Sequence, residues 1–508
     1  MDFIEEMDQV GIQYVMTHHE NTGAFMAAAV GRLTGVPGVV LVTKGPGVTN
    51  VATGIGSAYL DRSPLVCFSS TALDVRQRVG TEFLRPITKL SEEMTADNAA
   101  ELLPKAIGIS QEGMPGPVYL ASDTPEQIKQ MPGSDEALEA VIASGPERTV
   151  IATDVAAVEA TARDIAAARR LVVVVGQGVD HAGALQELEH LLDALDAPVC
   201  VTPQAVGLVS ANHPLYAGMT GWHDAPIRAL LPQADLVLTV GLDGADVMVP
   251  YRELARVIHV VPTPTDVSSY QPVSRVLNGD LKAILAALAR TADEKREWGA
   301  DTAKETRDSV DRDMAVSAAH SDDDGIAPQS VIAALRDVVA ANGIFTCDVG
   351  AHKIVAGTAW KSFAPSTFFI SNGFGSMGYG LGTAMGAKLA RPESPVVSVI
   401  GDGGFLMYAG DIATWARLQL PIVLVVMVDN DLTQVQRRQE KAGYSIQSTT
   451  FQRVDYAGVA RLHGIDAVTA NSRAEVGAAA ARAIAEDKPI LIEAILDSEE
   501  YRRIPGWK

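Results

Sequence analysis

Short apolar runs alternate with longer alanine-rich stretches along most of this chain. Runs such as VVLVT, LVVVVG and IVLVVMV are rich in β-branched residues and have the length of buried strands. The stretches between them space their apolar residues at helical intervals, which is typical of helices that cover a parallel sheet. The alternation therefore predicts an α/β fold built from doubly wound parallel sheets.

Two stretches interrupt the alternation. Residues 131–148 are rich in Pro, Gly, Ser and Glu, and residues 292–324 are charged and dotted with serine, so both are predicted to connect domains. They divide the chain into three predicted domains, at residues 1–135, 149–290 and 325–508. A chain of 508 residues needs such a division, because single cores stop growing near 250–300 residues.

Charge and hydropathy exclude several classes of partner. Lys and Arg number 41 against 62 Asp and Glu, giving a formal net charge of −21 without any basic tract. An acidic surface repels phosphate backbones, so no nucleic-acid partner is expected. No apolar run approaches the ~18 residues of a membrane span. The three scattered cysteines follow no metal-ligand spacing and suit a reducing cytoplasm, so we expect a cytoplasmic protein.

The strongest chemical signal lies where two predicted strands end. The strand PVVSVI ends at Gly401, and Asp402, Gly403 and Gly404 follow it, while the strand IVLVVMV ends at an Asp-Asn-Asp sequence that contains Asn430. Open α/β sheets bind ligands at the carboxyl ends of their strands. Mg²⁺ prefers oxygen ligands from few carboxylates, completed by phosphate and water, and glycine amides at a helix start hold phosphate. A magnesium–diphosphate site is therefore predicted here.

The spacing of these residues resembles a known motif. GDG is followed by 25 residues that form a helix and a strand, and then by Asp429-Asn430. This resembles the motif of thiamine-diphosphate-dependent enzymes of the acetolactate synthase and 2-oxo-acid decarboxylase type, including benzoylformate decarboxylase, in which Asn-Asn ends the motif. The resemblance implies thiamine diphosphate and Mg²⁺ as cofactors, with Asp402, Asn430 and the carbonyl of Leu432 as metal ligands. Asp429 stands where the family usually has its first Asn.

Two further segments resemble cofactor-binding elements of that family. In SNGFGSMGYG, the resemblance implies that Met377 bends the cofactor and that Gly375 and Met377 bind its aminopyrimidine edge. The loop after the strand GIFTC resembles the one that flanks the diphosphate, with Gly350, Ala351 and His352.

The N-terminal region supplies the candidate catalytic residue. His-His-Glu-Asn resembles the family's His-Glu element, in which the glutamate hydrogen-bonds the pyrimidine ring nitrogen and activates the cofactor, so Glu20 is expected to be catalytic. A helix-capping role is the structural alternative. Lys44, Arg437 and Arg438 are candidate contacts for an anionic substrate, with solvated side chains as the alternative.

The resemblance covers nearly the whole chain and implies pyrimidine-binding, central and diphosphate-binding domains, in that order. It further implies a homodimer or homotetramer, with Glu20 and the Asp402–Asn430 pair of each site coming from different subunits. The family's first strand before the His-Glu element has no counterpart in this sequence. FAD is not expected as a cofactor, because GLDGADVM stands where flavin-containing relatives have Arg-Asp-Asp-Arg.

The expected function is a carboligase or decarboxylase of 2-oxo acids, similar to acetolactate synthase. The Gln-Trp pair of anabolic acetolactate synthases is replaced by RRQEKAGY, so several alternatives stay open. One is a related lyase that acts on an acyl-CoA or on a sulfonated or phosphonated oxo acid. Another is a paralogue that binds the cofactor without catalysis. A third is a flavin or nicotinamide oxidoreductase based on the central domain, where a lone Gly-x-Gly gives only weak support.

Overall fold

The computed structural model describes residues 2–71, 79–129, 139, 151–221, 225–247, 250–265, 267–290 and 296–504. Within these residues the strands form three sheets, in which neighbouring strands pair in parallel. The prediction of an α/β protein with three parallel-sheet domains is therefore confirmed. The predicted connection at 131–148 lies outside the described residues, apart from residue 139.

The first sheet has four strands: β1 (Gly38–Val42), β2 (Leu65–Thr71), β3 (Leu90–Glu93) and β4 (Pro117–Asp123). Their spatial order is β1-β2-β4-β3, so β1 lies at an edge, and no described residue before β1 joins this sheet. Successive residues of β2 pack into separate apolar clusters, Leu65 and Cys67 into one and Val66 into the other. The sheet is therefore covered on both faces, as its apolar pattern predicts.

The second sheet has six strands: β5 (Leu171–Val175), β6 (Val199–Val201), β7 (Tyr216–Met219), β8 (Leu236–Val240), β9 (Val257–Val261) and β10 (Val273–Asn278). Their order is β10-β9-β8-β5-β6-β7. All five residues of β5 are buried, which explains why this strand is a continuous valine run rather than an alternating one.

The third sheet also has six strands: β11 (Ile344–Cys347), β12 (Phe368–Ile370), β13 (Val396–Gly401), β14 (Ile422–Val428), β15 (Asp466–Ala470) and β16 (Ile490–Ile495). Their order is β12-β11-β13-β14-β16-β15. Because β11, β13 and β14 are consecutive neighbours, the loops that follow their carboxyl ends meet at one edge of the sheet.

Helices connect and cover the sheets. In the N-terminal region they are α1 (Asp2–Gln9), α2 (Glu20–Thr34), α3 (Pro46–Leu60), α4 (Val79–Leu84), α5 (Ala99–Gln111) and α6 (Thr124–Gln127). In the central region they are α7 (Val155–Ala167), α8 (Gly178–His181), α9 (Leu185–Leu195), α10 (Ala225–Leu230), α11 (Leu281–Ala289) and α12 (Ala300–Asp313).

The C-terminal region contains α13 (Pro328–Val338), α14 (Ala351–Ala359), α15 (Tyr379–Ala390), α16 (Asp402–Met407), α17 (Ile412–Leu418), α18 (Thr433–Lys441), α19 (Tyr456–Leu462), α20 (Arg473–Glu486) and α21 (Glu499–Arg503). Among the helices of the described residues, none combines the length and apolarity needed to cross a membrane.

The segment predicted as the second connection, 292–324, contains α12. This helix is strongly charged, and the sequence therefore suggests a solvated linker. Ala303, Thr306 and Val310 nevertheless form a buried stripe at helical spacing, and this narrow face packs the helix against the rest of the protein.

The described chain divides into two compact units. The first comprises Met1–Thr149, Phe374–Glu393 and Tyr408–Leu420, and the second comprises Val150–Gly373, Ser394–Met407 and Pro421–Lys508. The first unit is therefore discontinuous in sequence. In it α15 packs against α2, because the small residues Gly382 and Gly386 lie against Phe25 and Met26 and allow close approach.

Candidate active site

In the second unit, Asp402 is placed at the carboxyl end of β13 and is almost completely buried. Its Oδ1 accepts a hydrogen bond from the amide of Gly403 at 2.7 Å. Its Oδ2 accepts from the amides of Asn430 at 2.7 Å and Asp429 at 3.1 Å. The parallel pairing of Gly401 with Met427 brings these two strand ends together. The predicted Asp402–Asn430 pair is thus formed in the structure.

This strand edge concentrates negative charge. Burial raises the pKa of Asp402 to about 6, although the three amides partly oppose that rise. Burial, and then the neighbouring Asp402 carboxylate, raise the pKa of Asp429 to about 7. The other contacts of Asp429 are with the hydroxyl of Thr433 and the amide of Asp431. A divalent cation would relieve the cost of holding these carboxylates together in a buried place.

Two buried oxygens beside Asp402 have no hydrogen-bond partner among the described residues. They are Oδ1 of Asn430 and Oδ1 of Asp431. Asn430 has a left-handed backbone with φ of 58°. Its loop is held by hydrogen bonds from the amide of Phe451 to the Asn430 carbonyl and from the amide of Leu432 to Thr449. Orphaned buried acceptors are costly without a ligand, so these oxygens fit a hard cation.

The carbonyl of Leu432 has other partners. It accepts hydrogen bonds from the amides of Val435 and Gln436, at 2.7 Å and 3.0 Å, in the first turn of α18. A carbonyl has two lone pairs, so a metal at this oxygen would have to share it with the helix. The Leu432 carbonyl therefore stays a predicted metal ligand. A metal would compete for it with the first amides of α18.

The predicted diphosphate loop lies beside this site. His352 is buried at the start of α14, and its ring packs against Gly350 and Gly401. A Cβ atom at position 401 would lie 2.9 Å from Cε1 of His352, so glycine is required there for close approach. Burial lowers the pKa of His352 to about 3, so its ring is neutral at physiological pH. Gly350, Ala351 and His352 thus come next to Gly401, which directly precedes Asp402.

In the first unit, Glu20 begins α2 and is half-buried. Its Oε2 accepts a hydrogen bond of 3.1 Å from Nδ2 of Asn50 in α3. The helix cap is supplied by His19, whose ring nitrogen accepts from the amide of Asn21. Because His19 performs the capping, the capping alternative for Glu20 loses its main support.

The glycine-rich loop before α15 also belongs to the first unit. Gly375 and Gly378 have φ of 70° and 81°, which side chains other than glycine rarely adopt. Open space surrounds the Cβ position of Gly375, whereas a Cβ at Gly378 would collide with the ring of Tyr408 at 1.9 Å. Met377 between them is half-buried. The loop is thus shaped by two left-handed turns and leaves room beside Gly375.

The three candidate substrate residues have different surroundings. Lys44 is exposed just before α3. Arg437 is largely buried on α18 and forms an ion pair of 2.8 Å with Glu440, which also pairs with Arg502. Arg438, the next residue of the same helix, is exposed. Arg437 is therefore held in an ion pair, and Lys44 and Arg438 are the exposed candidates.

Sequence reasoning missed two residues near Glu20, namely Tyr408 and Asp411. Asp411 is buried and its carboxylate accepts from the amide of His18 and from the hydroxyl of Thr22. Tyr408 accepts a hydrogen bond from Asn21 at 3.2 Å. The only sequence signal was an aspartate directly before the helix that begins at Ile412, and that position predicts a helix cap.

Comparison with known proteins identifies the family of this chain. Three family models match the chain: the thiamine pyrophosphate enzyme N-terminal TPP binding domain at residues 1–84, the central domain at 158–288 and the C-terminal TPP binding domain at 348–494. Acetolactate synthase isozyme 3 large subunit of Escherichia coli (strain K12) is 30% identical, covering 91% of this chain and 84% of the relative. The probable 2-ketoarginine decarboxylase of Pseudomonas aeruginosa is 31% identical, covering 89% and 82%.

A third relative is the probable acetolactate synthase large subunit of Methanococcus aeolicus, 29% identical over 98% of this chain and 88% of the relative. The chain therefore belongs to the thiamine pyrophosphate enzymes, in the group of the acetolactate synthases and 2-oxo-acid decarboxylases. As a member it is an enzyme that uses thiamine diphosphate, as its sequence predicts.

Proposed function

We propose that this enzyme is a carboligase or decarboxylase of 2-oxo acids, similar to acetolactate synthase. The observation that carries the proposal is the buried Asp402 carboxylate with the orphaned Oδ1 of Asn430 beside it, at the carboxyl edge of the third sheet. The names of its relatives, which include acetolactate synthases and a 2-ketoarginine decarboxylase, support the substrate class.

We propose Mg²⁺ as the cation, held by Asp402, Asn430 and the carbonyl of Leu432. The residues proposed to hold the diphosphate are Gly350, Ala351, His352, Gly401, Gly403 and Gly404. A neutral His352 ring and glycine amides offer hydrogen bonds and a helix start to an anion without bringing a competing negative charge. When bound, thiamine diphosphate supplies an electron sink for making or breaking a bond beside a ketone carbon.

We propose that Glu20 holds the proton at the pyrimidine ring nitrogen. Its carboxylate is anchored by Asn50 on one side, so it has a defined orientation at the start of α2. The proposed binders of the aminopyrimidine edge are Gly375 and Met377, which share a compact unit with Glu20. The half-buried Met377 supplies the bulky apolar side chain that this role requires.

Product analysis tests the function. Purified enzyme with thiamine diphosphate and Mg²⁺ is given a panel of 2-oxo acids that begins with pyruvate, and products are identified by mass spectrometry. Acetolactate indicates ligation and an aldehyde indicates decarboxylation, and the product must disappear when cofactor is omitted. The Glu20→Gln variant is the matched control, because it should still bind cofactor while turnover falls by roughly 10²–10⁴-fold.

The same panel separates the alternatives. Products only from an acyl-CoA or from a sulfonated or phosphonated oxo acid identify a related lyase, for which the exposed Lys44 and Arg438 offer anion contacts. Cofactor binding without any product identifies a non-catalytic paralogue. A flavin absorption band in the purified protein would contradict the expected absence of FAD.

We further propose a homodimer or homotetramer in which Glu20 and Asp402 of each site come from different subunits. Val36, Val39 and Leu41, on or next to edge strand β1, are exposed apolar side chains of the kind that an interface covers. Mixing and refolding inactive Glu20→Gln and Asp402→Ala chains tests this. Sites shared between two subunits should restore about one quarter of wild-type activity, whereas sites within one chain restore none.

The proposed cytoplasmic location rests on the cysteines. Cys67, Cys200 and Cys347 are buried in β2, β6 and β11, which belong to three different sheets, so none can pair with another. Buried thiols of this kind suit a reducing compartment. Fractionation of the source cells with a specific antibody checks this location.

A further inference from the structure

A turn from the C-terminal half of the chain, in which Tyr408 and Asp411 are buried, holds the residues around Glu20. This turn, residues 408–411, follows α16 directly in sequence and contains Tyr408 and Asp411. Oδ1 of Asp411 accepts a hydrogen bond of 2.8 Å from the amide of His18, and Oδ2 accepts one of 2.6 Å from the hydroxyl of Thr22. Asp411 thus binds the chain on both sides of Glu20.

The bonding of Asp411 differs from that of an ordinary helix cap. Its side chain accepts no hydrogen bond from a backbone amide of α17, although it directly precedes that helix. Its third partner is the hydroxyl of Thr414, at 3.0 Å. Asp411 is only 1% exposed, and a buried carboxylate is stable only when its lone pairs are satisfied. The donors from His18 and Thr22 are therefore necessary to the fold of this turn.

Tyr408 connects the same turn to the glycine-rich loop. Its ring lies against Gly378, where any Cβ atom would collide with it. Its hydroxyl accepts a hydrogen bond from Nδ2 of Asn21, and its ring meets the ring of His19 edge to face at 4.9 Å. Tyr408 therefore touches both residues that flank Glu20 in sequence and also the loop that contains Met377.

Helix α3 fixes the other side of the start of α2. Oδ1 of Asn21 accepts from the amide of Gly54 at 2.7 Å, and Asn50 donates to Glu20. Asn21 thus uses its amide group to join α3 to Tyr408. The start of α2 is held between α3 and the turn 408–411, which leaves Glu20 little freedom to move relative to the Gly375–Gly378 loop.

We propose that Asp411 and Tyr408 are positioning residues that set Glu20 against the aminopyrimidine-binding loop. The inference rests on the proposed function, because it assigns Glu20 to the pyrimidine nitrogen. Asp411 acts on Glu20 through His18 and Thr22. Tyr408 acts on it through His19 and Asn21. Catalytic groups displaced by about 1 Å can lose ~10²-fold in rate, so the effect of losing these contacts should be measurable.

The expected effects follow from the contacts that each variant removes. Asp411→Asn replaces one acceptor oxygen by an NH₂ group that faces the donors of His18 or Thr22. Hydrogen–deuterium exchange at C2 of bound thiamine diphosphate should slow by ~10–100-fold, while the dissociation constant of the cofactor changes less than about threefold. Tyr408→Phe keeps the ring against Gly378 and removes the hydroxyl that contacts Asn21, so C2 exchange is expected to slow by roughly 3–10-fold.

A second approach removes the same contact from the other partner. Thr22→Val deletes the hydroxyl that donates to Asp411, and it involves no charge. If Asp411 acts through Thr22 and His18, the double variant Thr22→Val, Asp411→Asn will slow C2 exchange by a factor smaller than the product of the two single-variant factors. Independent effects that multiply fully would contradict the proposed contact.

The experiment measures C2 exchange by proton NMR at saturating thiamine diphosphate and Mg²⁺, together with cofactor affinity and thermal stability. Wild type and Glu20→Gln are the references, and Asp235→Asn is the matched control. Asp235 also accepts hydrogen bonds from backbone amides distant in sequence, those of Arg169 and Arg170, but it belongs to the central region. Asp235→Asn should exchange as fast as wild type.

Each outcome has one meaning. Slow exchange in Asp411→Asn with near-wild-type cofactor affinity supports the positioning role. Wild-type exchange in Asp411→Asn, with Glu20→Gln slow, overturns that role and leaves the proposed function intact. Equal exchange in wild type and Glu20→Gln overturns the proposed function of Glu20 itself. A uniform loss of affinity, stability and exchange in both Asp411→Asn and Thr22→Val would show a merely structural role and also overturn the inference.

Discussion

The backbone amide of Asn430 donates a hydrogen bond of 2.7 Å to Oδ2 of Asp402. The bond joins the ends of β13 and β14, and it uses the backbone of Asn430, so the side-chain oxygen Oδ1 stays available for a ligand. The position of Asn430 and its proposed metal-binding function therefore depend on different atoms, and a mutation can separate them.

Asn430→Gly should weaken Mg²⁺-dependent cofactor binding by roughly 10–100-fold with little loss of stability. Glycine tolerates the left-handed backbone at φ of 58° and keeps the amide that binds Asp402, so only the side-chain oxygen is lost. Isothermal titration calorimetry with thiamine diphosphate and Mg²⁺ measures the change. Asn471→Ala, at an exposed position after β15, is the control. Unchanged Mg²⁺ dependence in Asn430→Gly would exclude Asn430 as a ligand.

Gly378→Ala should lower the melting temperature by several degrees, because its Cβ would lie 1.9 Å from the ring of Tyr408 and its backbone has a positive φ. The same substitution made in a Tyr408→Ala background should lower the melting temperature by less, because the ring that the new Cβ would meet is absent. Thermal unfolding of wild type, the two single variants and the double variant checks this. An equal decrease in both backgrounds would mean that the backbone strain, and not the Tyr408 contact, requires glycine at this position.

The Arg437→Ala and Arg438→Ala variants should change different properties of the enzyme, stability in the first and KM in the second. Arg437 is paired with Glu440, which also pairs with Arg502, so its loss should destabilise the protein by about 1–2 kcal/mol with little change in KM. Arg438 is exposed, so its loss should leave stability unchanged, and a higher KM for anionic substrates would identify it as a substrate contact. Denaturant unfolding and steady-state kinetics separate the two effects. Equal KM for wild type and Arg438→Ala would leave it a solvated residue.

The stability of the second sheet should decrease in acid. Burial lowers the pKa of His259 to about 4, from an ordinary value near 6.5. The unfolded chain therefore binds the proton more readily than the folded chain. The stability that the protein gains from keeping His259 neutral is fully present above about pH 6.5. It is lost as the pH falls towards 4, by up to about 1.4 kcal/mol per pH unit.

His259→Gln tests this dependence, because glutamine does not titrate and can still bond the hydroxyl of Thr239, which contacts Nδ1 of His259. Denaturant unfolding at about pH 7.5 and about pH 5 should show a smaller acid loss in the variant than in wild type. His352, whose pKa is also lowered, is present in both proteins and cancels in the comparison. An identical decrease of the free energy of unfolding in both proteins would mean that His259 does not contribute to the loss of stability in acid.

The fold and half of the candidate site could be predicted because their signals are local. A continuous valine run such as β5 is buried on both faces, and the position of Asp402 after β13 follows from the end of one strand. The position of Asn430 could also be predicted, because a single crossover connects the adjacent parallel strands β13 and β14. Helix α12 was missed because its charged surface hides a narrow buried stripe.

The remaining parts of the site depend on contacts that no local pattern records. Asp411 bonds His18 and Thr22 across 393 and 389 residues of sequence, so a single sequence offers no spacing to test. Arg437 and Arg438 are neighbours in sequence, and only the orientation of α18 determines which one is buried against Glu440. The competition at the Leu432 carbonyl likewise follows from where α18 begins.

The discontinuous first unit has a consequence for synthesis. Residues 374–393 and 408–420 belong to the same compact unit as Glu20, so α2 lacks α15, one of its packing partners, until the ribosome has extended the chain well beyond the N-terminal region. The nascent N-terminal region must therefore keep the face of α2 that packs against α15 exposed while most of the protein is translated. Chaperone binding to stalled chains should be strongest before that length and should fall sharply after it.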